Sequence, residues 1–260
     1  MTAQDLYDIR PYGITPYGIT PYGTRWSGTR RYDRDMTAGI GAQLLVLEVL
    51  CRAAGLGTAG WVTGSTFAVV TWALLVMALR RSWTGPFGPA NRVTLARTVL
   101  VGGVTALVAD SFGHRVPVPV LAALATVALV LDAVDGQVAR RTGTATALGA
   151  RFDMEVDAFL ILVLSVYVAM PLGSWVLAIG LMRYAFVAAS WVLPWLRGAL
   201  PHSMARKTVA ALQGMVLVVA GAGIMPRWWA GIAVAVALAL LVWSFGRDVG
   251  WLWRTRGSAA

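Results

Sequence analysis

Four aspartates between positions 132 and 157 are the side chains best placed to do chemistry. They stand as Asp132-x-x-Asp135 and Asp153-x-x-x-Asp157, and with Glu155 they make five of the chain's twelve acidic residues. On a helix, spacings of three and four put both members of a pair on one face. The segments on either side are almost purely apolar. Carboxylates at the ends of membrane helices are costly to desolvate, so they usually persist because they bind something. Two such helices brought together would converge four carboxylates into a hard-oxygen site suited to Mg²⁺ or Mn²⁺.

The elements that must position them are apolar helices. The chain is 58% hydrophobic and 13% charged over 260 residues, with mean hydropathy +0.67. That excludes an ordinary soluble domain and indicates an all-α integral membrane protein. Residues 1–36 read as a disordered basic tail. Pro11-Tyr12-Gly13-Ile14-Thr15 repeats at Pro16-Tyr17-Gly18-Ile19-Thr20 and breaks off at Pro21-Tyr22-Gly23-Thr24, a punctuation that opposes helix and strand alike. Two apolar runs follow within 37–85, near 37–54 and 59–79. The first carries Glu48 and Arg52 four residues apart, so it either spans or lies in the interface. Six more runs, near 93–110, 116–138, 148–172, 174–196, 208–225 and 227–246, are each about long enough to cross roughly 30 Å of hydrocarbon. Residues 251–260 are left as a cytoplasmic tail.

Orientation follows from charge. With a cytoplasmic N-terminus and eight crossings, sixteen basic residues from Arg10 to Arg256 fall on the cytoplasmic side. Only Arg52, Arg115 and Arg227 fall on the other. This bias places the aspartates on the cytoplasmic side. The net charge of +10 then reflects these loops and attraction to anionic lipid, not nucleic acid. The single cysteine, Cys51, can form no internal disulfide. His114 and His202 have no partners at metal-ligand spacing and read as solvated.

The full pattern is Asp132-x2-Asp135-Gly136-x2-Ala139-Arg140-x8-Gly149-x3-Asp153-x3-Asp157. It resembles, at every defined position, the signature of the CDP-alcohol phosphotransferase (CDP-alcohol phosphatidyltransferase) family. The likeness covers about 86–250, which would form the family's six-transmembrane-helix catalytic core behind two additional N-terminal helices. The resemblance implies transfer of a phosphatidyl group from CDP-diacylglycerol to an alcohol with release of CMP. It also implies two Mg²⁺ or Mn²⁺ ions and a homodimer in a membrane, expected to be a bacterial plasma membrane. Asp132, Asp135 and Asp153 would hold the metals, and Asp157 would add to the coordination or act as general base. An element similar to the family's Asn-x-x-Thr-x-x-Arg precedes the first core span as Asn91, Thr94 and Arg97, beside the expected nucleotide site.

Gly136, Ala139 and Gly149 leave room for the nucleotide, although small residues equally serve helix packing. Arg140 can bond the diphosphate, whereas Arg141 reads as an interfacial anchor. Arg183 lies mid-span, which is costly unless it faces a polar cavity or a carboxylate. With Arg151, Arg206 and Lys207 it would suit an acceptor carrying phosphate, such as glycerol 3-phosphate or inositol phosphate. Arg206 and Lys207 fit ordinary cytoplasmic flanks as well. A different use of the same carboxylates, as the ion site of a cation transporter, would leave Gly136, Ala139 and Arg140 unexplained.

Overall fold

A computed structural model describes residues 25–82, 89–142, 147–198 and 203–255, with side chains over these except 25–35, 78–92, 135–148 and 197. Among the described residues there are eight α-helices and no strand: α1 (Arg25–Ala54), α2 (Thr58–Ser82), α3 (Pro89–Asp110), α4 (Val118–Thr142), α5 (Ala147–Leu172), α6 (Leu177–Val192), α7 (Met204–Gly221) and α8 (Arg227–Thr255). Seven are long and apolar enough to cross a membrane, and the apolar stretch described in α4, Val118–Val134, is shorter. The fold is that of an all-α integral membrane protein.

Helix ends follow local chemistry. α1 closes at Gly55, whose φ of 67° lets its N–H return to the Cys51 carbonyl at 3.1 Å. α2 begins beside Asp110, whose Oδ2 accepts from the Gly57 N–H at 3.1 Å. The Pro117 carbonyl opens α4 by accepting from Val120 at 3.0 Å. α6 stops before Pro194, short of the 196 expected from hydropathy, because proline cannot continue the ladder. α1 starts at Arg25, inside the stretch expected to be a tail, since the proline and glycine punctuation ends at Gly23. The Pro-Tyr-Gly repeat and His202 lie outside the described residues.

α3 is the hub. It packs against α1, α2, α4 and α5, and 78% of its span is buried, against 17–33% for the other spans. α5 then packs on α6 and α7, and α7 on α4 and α8. Close approach depends on small residues, as is common between membrane helices. A Cβ at Gly102 would come within 2.5 Å of the Gln43 amide from α1, and one at Gly180 within 2.5 Å of the Leu162 Cα.

The hairpin of α1 and α2 also lies beneath the aspartates. Met36, Ala68, Trp72 and Leu75 cluster with Leu95 and Val99 of α3, and Phe152 of α5 packs on them. Leu95 and Phe152 are close neighbours in sequence of Arg97 and Asp153. Trp72 is 5% exposed. Trp72→Ala is expected to cost about 3 kcal/mol or more through the cavity it leaves, measured as a lower melting temperature of purified protein. An unchanged melting temperature would refute the bracing role.

Candidate functional site

Three helix ends meet at the aspartates. α3 contributes Thr94 and Arg97, α4 contributes Asp132 near its C-terminal end, and α5 contributes Asp153 and Asp157 in its first turns. The spacing of four keeps Asp153 and Asp157 on one face of α5. Carboxylate oxygens of Asp132, Asp153 and Asp157 all lie within 4.8 Å of one another.

Arg97 stands among them. Its side chain is fully buried, and one terminal nitrogen donates to Asp132 Oδ1. The other donates to Asp153 Oδ1 and to the Asp153 carbonyl at 3.1 Å, and lies 3.2 Å from Asp157 Oδ1. A planar guanidinium can reach several oxygens at once, which a lysine ammonium cannot do in a fixed geometry. Three carboxylates against one guanidinium still leave the cluster net negative, so it favours further positive charge. All three donors are hard oxygens, the class that suits Mg²⁺ or Mn²⁺, so the residues present fit a divalent ion.

The remaining expectations divide. Thr94 is buried, and its carbonyl accepts from Thr98 Oγ1 at 2.7 Å. Gly149 is half-buried near the start of α5. The side chains of Asn91, Asp135, Ala139 and Arg140, and the surroundings of Gly136, lie outside the described residues.

Arg183 on α6 meets a carboxylate, donating to Glu155 Oε1 at 2.5 Å. Its Nε is buried without a hydrogen-bond partner among the described residues. Arg206 is 3.3 Å from Asp248 of α8, which also lies 3.7 Å from Arg247. Arg151 and Lys207 are exposed. No described contact joins Arg151 or Lys207 to Asp132, Asp153 or Asp157.

Glu155 and Asp248 are partners that the sequence motifs do not mark. The mid-span Arg183 is the signal for Glu155, because an arginine at that depth calls for a carboxylate and Glu155 lies on the neighbouring helix α5. Asp248 had no comparable signal, lying in a basic helix end.

Residues 87–243, more than half of the chain, match the family model described as CDP-alcohol phosphatidyltransferase. No curated protein and no solved structure matches the chain.

Proposed function

The chain belongs to the CDP-alcohol phosphatidyltransferase family, and from that membership we propose that it transfers a phosphatidyl group from CDP-diacylglycerol to an alcohol, releasing CMP. The observation that carries this reading is the meeting of Asp132, Asp153 and Asp157 from two helices at one end of the bundle. In the reaction the acceptor oxygen forms a bond to the phosphorus that bears the diacylglycerol. The bond from that phosphorus to the bridging oxygen breaks, and CMP leaves with its electron pair. The hydroxyl proton passes to a carboxylate, for which Asp157 is the candidate.

A divalent ion held by Asp132, Asp153 and Asp157, joined by Asp135 in the motif, would neutralise diphosphate charge and acidify the attacking hydroxyl. Arg97 holds its three aspartates at fixed positions, so no reorganisation is needed when the donor arrives. Asn91, Thr94, Gly136, Ala139, Arg140 and Gly149 would seat the nucleotide and diphosphate, whereas Arg97, expected with them, is turned to the three aspartates. The active site and N-terminus would face the cytoplasm, where CDP-linked donors are made available.

The acceptor end is built around Arg183. Its Nε has a hydrogen to donate and no described acceptor, and the Glu155 pair fixes where the guanidinium points. That supports an acceptor bearing an anionic group. Labelled CDP-diacylglycerol given to purified protein with a panel of alcohols should release CMP and form one product lipid. Metal uptake into vesicles without CMP release would support the transporter reading instead. Arg183→Ala is expected to raise the acceptor KM by roughly tenfold or more, the loss of one charge-assisted bond, with the donor KM little changed. Equal shifts in both constants would remove Arg183 from the acceptor site.

A further inference from the structure

At the end of the bundle opposite the aspartates lies a second site-like feature. A cavity of about 490 Å³ opens among the C-terminal ends of α3, α5 and α7 and the N-terminal ends of α4 and α8. From Asp157 to Met170, one of its lining residues, α5 rises ~20 Å at the usual increment per residue, so the two features are separate. The volume falls within the range of small-molecule sites.

Its lining is amphipathic and carries one sign of charge. Arg115, from the loop between α3 and α4, and Arg227, the first residue of α8, both line it. Met170, Leu172, Val118 and Met225 supply apolar wall, and no acidic residue lines it. Among the described residues neither arginine forms an ion pair with a carboxylate. The carboxylate just before the loop that carries Arg115, Asp110 at the end of α3, is turned to other groups: its Oδ2 accepts from the Gly57 N–H at 3.1 Å, and its Oδ1 lies 3.4 Å from His114 Nδ1.

The charge pattern makes this more telling. Arginines are scarce on the face expected to be non-cytoplasmic, numbering three, and two of them line this cavity from positions far apart in sequence. Trp228 and Trp229 stack at 4.2 Å directly after Arg227, and both are exposed. Exposed indoles of this kind mark headgroup depth. Two cations at that depth over apolar walls match a phosphate with attached hydrocarbon better than a free ion. We propose that this cavity binds the headgroup phosphate of an anionic phospholipid from the leaflet opposite the aspartates, through Arg115 and Arg227.

The test uses the purified full chain in neutral detergent, titrated with short-chain phosphatidylglycerol, short-chain phosphatidylcholine and inorganic phosphate. Bound ligand is counted by native mass spectrometry. The Arg115→Gln/Arg227→Gln double variant should bind phosphatidylglycerol at least about tenfold more weakly than wild type, the loss expected for charge-assisted contacts. Turnover should stay near wild type, which also shows the variant is folded. Arg115→Lys/Arg227→Lys should recover part of the binding. Arg52→Gln, on the same face but outside the cavity, should bind like wild type. Equal affinity in wild type and the double glutamine variant overturns the proposal, as does an equal loss in Arg52→Gln. Inorganic phosphate binding as tightly as phosphatidylglycerol would overturn the lipid assignment.

Discussion

Asp157→Asn is expected to lower turnover by about three orders of magnitude, within the range a positioned general base contributes, while CDP-diacylglycerol binding in the presence of Mg²⁺ survives in part. Asparagine has nearly the shape of aspartate but no basic oxygen. The change therefore removes the proposed proton acceptor and one of the three clustered carboxylates. Asp132 and Asp153 keep their bonds to Arg97, so a folded site should remain for the donor. The informative comparison is with Asp153→Asn. If Asp157 holds metal and takes the proton, whereas Asp153 only holds metal, raising Mg²⁺ should restore Asp153→Asn more than Asp157→Asn. Turnover within a few-fold of wild type in Asp157→Asn would dispose of the base assignment.

The second large effect concerns Arg97. Because its guanidinium is fully buried and serves three aspartates, Arg97→Leu leaves like charges facing one another with no organic cation between them. Breaking a buried ion pair from one side typically costs about 3–5 kcal/mol. The expected result is a large fall in melting temperature without divalent ions, partly reversed by Mg²⁺ or Mn²⁺, since a cation that binds only the folded site stabilises it by mass action. Arg97→Lys should recover little, because an ammonium is a point charge without the planar fork. A melting temperature unchanged in Arg97→Leu, with and without metal, would show that the cluster does not depend on this residue.

Both experiments turn on a pairing that the sequence could not display. That Asp153 and Asp157 share a face follows from spacing alone, and apart from the start of α1 and the end of α8 the apolar runs located every helix end to within four residues. The ends were less legible where polarity and helicity part company. α1 runs back to Arg25 through a polar stretch, and α8 runs on to Thr255 through Arg247, Asp248 and Arg254. Hydropathy measures affinity for lipid, not hydrogen bonding, so it is silent about such extensions. Arg97 could be placed near the aspartates from its motif, but its role as their common partner depends on how α3, α4 and α5 pack, which is long-range information. The paired arginines of the far cavity were hidden for a related reason. Its apolar walls read in sequence like any other stretch of membrane helix.

The hairpin of α1 and α2 also limits where a second copy of the chain could dock. Its footprint covers the flank of α3 that carries Leu95, Val99 and Gly102, and this hairpin lies outside the family match. A second copy of the chain therefore cannot seat itself on that flank without prising the protomer's own helices away. Any dimer of the kind the resemblance implies would therefore have to use the sides of other helices, and an inter-subunit cross-link mapped to Val99 would contradict this.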